Sequence, residues 1–447
     1  MKHCRLIFMI AILFITLTGC STTEVGNINN QEVNTNNEDS EARKTKWIEE
    51  IDYLTTKLED MHPAVFTNIT EEEYDEKIKD LKNNIEKLTD NEIHFKLKEL
   101  VASVKDAHTK YYPFNWGEKF ENENIYPVEL DYFEDEIRII GVSDKKYKDI
   151  LGMKLVGIND IPIDEVLTKF EKILSYENDE WKKVLFLNSV TLDKYLKYLE
   201  ISEGESVTLN LEDDDKKINK KISTVSVKEY DSLETISYKD TIPNRKNIVY
   251  ESKPEGMDDA YWYKFIEEDN IFYFQYNECT SSSQDPNYPN FYQFSSELIE
   301  SINKNIDNID KFVVDLRNNM GGNNSLMAEL CVRISKEVDM SKLKVYTIAG
   351  RETFSSGTDA LANTKEFFNA TFVGSETGGN VACFAELGYI DGPNELGTIL
   401  CSTKEYDLGV NGLLKGEGGA IPDVDIKDSF ESYKKGIDDC YEYIKKQ

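Results

Sequence analysis

The hydrophobic and polar positions of this chain change their period twice. From residue 42 to about 100, apolar and charged residues recur at helical spacing in WIEEIDYLTTKLEDM, EEEYDEKIKDLKNNIEKL and EIHFKLKELVASV. Breaks at His62-Pro63 and Thr89-Asp90 divide this stretch into three helices, which the short connections make antiparallel. From 126 to about 226 the period is mostly that of strands, in YPVELDYFEDEIRIIGVS, ILGMKLVGINDIPIDEVLTKFEKIL and SVTLNLEDD, with one helix in the middle piece. From 271 strands and helices alternate: NIFYFQYNEC, FYQFSSELIESINKNI, KFVVDL and SLMAELCVRIS. KFVVDL is a short run with an apolar Phe-Val-Val centre, as expected of a strand buried on both faces. The pattern predicts an α+β multidomain chain: helical over 43–115, β-rich over 120–227, a polar link over 228–260, and α/β over 261–447.

Two junctions in the last region bear on chemistry. KFVVDL runs into Arg317-Asn318-Asn319-Met320-Gly321-Gly322 before the next helix, and a glycine pair there leaves backbone N–H groups open to a ligand. The G-x-x-x-x-G-K-[ST] spacing of a phosphate loop and its lysine are missing, so the turn points to an oxyanion site rather than to a nucleotide. The second junction lies at Ser355-Ser356-Gly357, between a β-branched run and an Ala/Leu/Phe helix pattern. A serine there is an N-cap or an exposed nucleophile, and the pattern alone does not separate the two.

Residues 1–20 stand apart from the fold. Lys2 and Arg5 precede an apolar run over 6–17, too short to span a bilayer, which closes in Leu17-Thr18-Gly19-Cys20. This resembles a bacterial lipoprotein signal, which implies a lipid-bearing Cys20 and a protein held outside the cytoplasm on the cell membrane; a plain secretory signal is the alternative. Residues 21–42 are polar and Asn-rich, the composition of a flexible tether. The formal charge is −32, and losing the signal removes two bases and no acid, so nucleic acid and anionic lipid are disfavoured as partners. Five cysteines follow Cys20, without a CxxC, and read as buried small hydrophobes with room for one disulfide. Of the histidines beyond the signal, His62 and His94 lie at a helix end and inside a helix. His108 opens a loop beside Asp106 and Thr109, where a base could be exposed and oriented. There is no H-E-x-x-H and no ligand spacing, so neither a metal nor another cofactor is expected.

KDAHT at 105–109, DLRNNMGG at 315–322, TFSSG at 353–357, GSETGGN at 374–380 and GGAIPDVDI at 418–426 stand in one chain. In order and spacing they resemble the serine peptidase family of the C-terminal processing (tail-specific) proteases, the tricorn core and interphotoreceptor retinoid-binding protein. The resemblance implies a crotonase-like α/β catalytic domain that often carries a PDZ insertion, here behind the N-terminal helical bundle read from the pattern. The strand pair with an Asn-Asp turn before a helix, over about 151–174, is similar to part of a PDZ domain. Position by position, the resemblance implies Ser355 as nucleophile, an oxyanion hole from Gly321 or Gly322 with the Ser356 N–H, and Asp315 and Arg317 as the frame of the turn.

The base departs from the better-known branch. Tail-specific proteases of the Ser/Lys type place a lysine in a G-K-G setting where this chain has Asn380, and asparagine cannot take a proton from serine at neutral pH. The D-x-H-T match to the tricorn-like Ser/His branch implies His108 as general base. For an orienting acid it points near Glu417, offset by one residue, with Glu386 and Asp106 as the other candidates. The implied function is a membrane-anchored, extracytoplasmic peptidase acting on protein or peptide substrates. The alternative is a catalytically inactive lipoprotein of the same fold that captures peptides or a small apolar ligand.

Overall fold

The computed structural model describes residues 37–447 except 214–215 and 284–287. The signal, Cys20 and most of the proposed tether lie outside the described residues. The first helix, α1 (Asn37–Met61), begins inside the stretch read as tether. It is followed by α2 (Glu71–Asn84) and α3 (Asp90–Ala102). Thr70 and Thr89 start α2 and α3 with reciprocal capping boxes to Glu73 and Glu92, which satisfies N–H groups the first turns would otherwise leave open.

These helices share their core with the far end of the chain. Trp47, Leu54, Leu97 and Val101 share a core with Tyr111, Ile390, Ile399 and Cys401. The chain leaves α3 through the 105–109 turn into β1 (Lys110–Pro113). That strand pairs antiparallel with a hairpin strand nearly 300 residues later, Lys110 opposite Leu400. The buried Glu50 of α1 fastens the same hairpin by accepting the N–H groups of Leu396 (2.9 Å) and Gly397 (2.8 Å). The sheet under the helices is therefore built largely from the far end of the chain.

The β-rich region forms an antiparallel sheet around β2 (Val128–Phe133), β3 (Glu136–Val142), β4 (Lys154–Ile158), β5 (Ser206–Asp213) and β6 (Lys216–Ser223). After β4, Asn159 and Asp160 both take positive φ (50° and 65°), as a tight hairpin turn demands. α4 (Ile163–Phe170) then packs on β4, and α5 (Asp179–Ser189) follows after a loop over 171–178. The stretch read as a polar link is folded: Arg245 and Glu251 form a nearly buried ion pair at 2.8 Å, and Ile248 is buried.

The last region is a six-stranded sheet, in the order β7 (Tyr261–Ile266), β8 (Ile271–Tyr276), β9 (Lys311–Asp315), β10 (Lys344–Ala349), β11 (Thr371–Gly374) and, past a hairpin, a short strand Val424–Asp425. Only β7 runs antiparallel to its neighbour. All five residues of β9 are buried, its apolar Phe312-Val313-Val314 centre flanked by Lys311 and Asp315. α6 (Phe291–Asn305), α7 (Ser325–Glu337) and α8 (Ser356–Phe368) cover the sheet. The hairpin, β12 (Ala382–Asp391) with β13 (Gly397–Asp407), leaves this sheet to pair with β1. All five cysteines among the described residues are free thiols and four of them are buried.

Candidate active site

The carboxyl ends of β9 and β10 carry both chemical junctions. Asp315 closes β9 fully buried, and its carboxylate is held by Arg317 Nε at 2.8 Å; Arg317 also reaches Asp438 at 2.8 Å. Asn319 then brackets the turn. Its side-chain oxygen accepts the Gly321 N–H (2.9 Å), its amide donates to the Tyr276 carbonyl (2.8 Å), and its own carbonyl accepts the Phe354 N–H (2.9 Å). The bracket presses the glycine turn against the serine junction. A Cβ on Gly321, whose φ is +106°, would lie 2.9 Å from Ser355 Cβ and 3.0 Å from the Ser356 nitrogen.

Ser355 holds the N-cap position of α8, yet its side chain makes no capping bond, and its backbone is at φ 53°, ψ −129°. A non-glycine residue in that region is strained, and such strain gathers where the surrounding structure forces a side chain outward for function. Ser356 differs: its hydroxyl donates to the Gly322 carbonyl at 2.8 Å. The two readings of the serine pair thus separate, with Ser356 structural and the Ser355 hydroxyl unengaged. Of the three oxyanion candidates, Gly321 has its N–H already taken by Asn319. The N–H groups of Gly322 and Ser356 have no acceptor among the described residues.

His108 arrives from the other end of the chain. In the 105–109 turn, Asp106 accepts the His108 backbone N–H (2.9 Å), the Thr109 hydroxyl and His62 Nε2 (3.1 Å). The Ala64 N–H donates to His62 Nδ1 at 3.0 Å, so the His62 proton sits on Nε2 and points at Asp106. Burial works against ionising Asp106, but these hydrogen bonds and the nearby His108 hold it below the usual carboxylate range. Asp106 is thus the anchor of the turn, its oxygens engaged, and His62 and His94 are structural; His94 binds the Tyr111 hydroxyl at 2.7 Å.

The His108 ring is buried, and neither of its nitrogens has a well-formed hydrogen bond among the described residues, although the Phe384 backbone and Asp106 both favour its charged form. It stacks on Phe354, the residue before Ser355, with centroids 4.6 Å apart, and the ring of Trp181 lies near Phe354 at 3.9 Å. Burial pushes the imidazole down to about 4, against the pull of Asp106, so it stands neutral at physiological pH. No hydrogen bond joins His108 to Ser355 in this arrangement.

Of the acids suggested by the sequence, Asp106 lies beside His108, whereas Glu386 and Glu417 are turned to solvent. Glu386 is exposed and engaged by Lys404 at 2.7 Å and by the Tyr406 hydroxyl. Glu417 is also exposed. A further acid at the site is Glu177, from the loop before α5, which sequence reasoning missed. Single oxygens of Asp106 and Glu177 and a His108 ring nitrogen lie within 4.8 Å of one another. Burial drives Glu177 up to about 8, although it accepts the Asn380 N–H at 3.0 Å. Asn178 donates to the Gly378 carbonyl and to Asn380 Oδ1, each at 2.8 Å. Asn380, where a lysine was sought, is therefore built into a clasp that brings the β-rich region onto the site. The three groups could in geometry face a divalent ion, but the Asp106 oxygens already serve His62, Thr109 and the His108 N–H. The cluster is therefore already engaged at Asp106 by hydrogen bonds within the chain.

Ala107, Met320, Phe354 and Trp181 belong to one core cluster, so all three regions meet here. No family model and no curated sequence matches the chain. Among solved structures it is similar to mature CPAF, at 12% identity and TM-score 0.62, over 91% of this chain and 97% of that one. It is also similar to mature CPAF complexed with lactacystin, at 11% identity and TM-score 0.60, over 91% and 98%. The photosystem II D1 C-terminal processing protease aligns more loosely, at 10% identity and TM-score 0.38, over 86% and 93%. At these identities the likeness is one of fold.

Proposed function

We propose that this protein is a serine peptidase that hydrolyses peptide bonds through an acyl-enzyme, with Ser355 as nucleophile and His108 as general base. The observation that carries the reading is the buried imidazole of His108, without a well-formed hydrogen bond among the described residues, stacked on the residue preceding a strained, uncapped Ser355. The motif resemblance, and a fold shared with a structure solved with lactacystin, support it.

In this reading the His108 imidazole closes onto the Ser355 hydroxyl and takes its proton as the oxygen attacks the scissile carbonyl. The oxyanion is received by the N–H groups of Ser356, at the positive end of α8, and Gly322. The imidazolium then gives its proton to the leaving amine, and water repeats the sequence in reverse to free the acid and Ser355. Glu177 takes the role of orienting acid: once ionised, its carboxylate stabilises the imidazolium, and the fixed charge of Asp106 acts in the same direction. The lipoprotein-type leader gives the working location, outside the cytoplasm on the membrane through Cys20.

Labelling with a fluorophosphonate probe, followed by peptide mapping, tests the assignment. Wild type is expected to be modified at Ser355, and Ser355→Ala and His108→Ala to lose labelling and peptide or ester hydrolysis by about 10⁴-fold. Unchanged hydrolysis in either variant would overturn it. Failure of the folded wild type to label or cleave would leave a binding protein of the same fold.

A further inference from the structure

Gly322 is held between two neighbours that face it from opposite sides. On one side stands the backbone of Cys279, just past β8. The Cys279 N–H donates to the Gly321 carbonyl at 3.1 Å, and the Cys279 carbonyl accepts the Asn323 N–H at 2.7 Å. These bonds form one rung of a parallel ladder, with Cys279 opposite Gly322. In such a rung the groups before and after the central residue face the partner, so the central residue turns its own N–H and carbonyl the other way. The approach is close: a Cβ on Gly322, whose φ is +132°, would lie 2.4 Å from the Cys279 carbonyl oxygen.

On the other side stands Ser356. The rung therefore presents two Gly322 groups of opposite sign to the start of α8. The N–H has no acceptor among the described residues, and neither has that of Ser356. The carbonyl would carry its partial negative charge beside an oxyanion held by those two donors, and would oppose it. The Ser356 hydroxyl covers that oxygen, donating to it at 2.8 Å from a buried side chain. Among the described residues the Gly322 carbonyl has no other donor. One hydrogen bond thus runs from the residue that bears the first oxyanion donor to the residue that bears the second.

We propose that the Ser356 side chain is a positioning residue of the oxyanion hole: its hydroxyl masks the Gly322 carbonyl and locks the Gly322 and Ser356 N–H groups onto one point. The inference rests on the peptidase reading. The Cys279 bonds keep the carbonyl aimed at this side whether or not it has a partner, so removing the hydroxyl uncovers it without moving the turn. The uncovered dipole acts on charge that exists only as the carbonyl of the substrate is attacked. Its effect therefore falls on the chemical step and spares binding of the intact peptide.

The test compares wild type with Ser356→Ala and Ser356→Thr, the second of which keeps a hydroxyl. On a peptide or ester substrate, Ser356→Ala is expected to lower kcat by about 10- to 100-fold with KM within about twofold. Affinity for a peptide trifluoromethyl ketone, whose adduct with Ser355 carries an oxyanion, should fall by a similar factor. Fluorescence anisotropy of an intact labelled peptide should give the same affinity for Ser355→Ala with and without Ser356→Ala, because no oxyanion forms there. Ser356→Thr should recover most of kcat. Ser356→Cys, with a weaker donor of similar size, should fall between alanine and wild type, and it replaces threonine if the extra methyl disturbs the fold. An unchanged kcat in Ser356→Ala, an equal loss in binding of the intact peptide, or a loss that neither threonine nor cysteine relieves overturns this role and leaves the peptidase reading standing. A folded wild type that neither cleaves nor forms the ketone adduct overturns the peptidase reading itself, and the role falls with it.

Discussion

The ring of Phe354 stacks on that of His108 with centroids 4.6 Å apart and planes 24° from parallel, so the residue before the serine also positions the imidazole. Trp181 lies almost parallel to Phe354, 3.9 Å away. Phe354→Leu keeps apolar bulk but loses the stack. It is expected to lower kcat/KM by about tenfold or more through misplacement of His108, with a far smaller change in Tm. Steady-state kinetics beside a thermal melt separate the two effects; unchanged kinetics would make the stack incidental.

Glu177 is pushed up to about 8 and His108 down to about 4, both chiefly by burial. Catalysis needs His108 neutral and gains from Glu177 ionised, so activity should rise with pH, with an upper inflection near 8 as the carboxylate appears. Glu177→Gln is expected to remove that inflection and to lower the alkaline plateau by about 10- to 100-fold, leaving fluorophosphonate labelling detectable. A pH–rate profile that is the same in the variant would exclude Glu177 from the mechanism.

Gly321 has no room for a side chain: a Cβ would meet Ser355 Cβ at 2.9 Å and the Ser356 nitrogen at 3.0 Å, on a backbone at φ +106°. Gly321→Ala should push the turn away from the serine and reduce labelling by about 100-fold or more, with far-UV circular dichroism near that of wild type.

Asp106 receives His62, Thr109 and the His108 N–H in a buried turn. Asp106→Ala strands these donors and should cost about 3 kcal/mol or more in denaturant unfolding. The folded-state pKa of Asp106 lies below its ordinary value. Its contribution is thus fully present above the ordinary carboxylate range and is lost as pH falls through the lowered value. Asp106→Ala should therefore narrow its gap to wild type in acid, which a stability-versus-pH series reads directly.

Much of this could be read in the chain because it depends on local chemistry. The capping threonines, the Asn159-Asp160 turn and the apolar centre of β9 each form for reasons contained within a few residues. The same holds for the glycine turn and for the serine at a helix start, since backbone strain and open N–H groups are set by near neighbours. Glu177 carried no such signal. It is one acid among 84 in the chain, in a loop of another region, and only burial against Asn380 and the 105–109 turn distinguishes it.

The sequence by itself determined most of the elements and the two junctions, and it offered His108 as a candidate base where a lysine is missing. Tertiary structure decided what meets what. Pairing β1 with β13 carries His108 to the serine, the Asn178–Asn380 clasp brings Glu177 beside it, and the Asn319 bracket occupies the Gly321 N–H. Contacts between residues hundreds of positions apart depend on how whole sheets close against one another, and the local pattern of apolar and polar residues does not encode that closure.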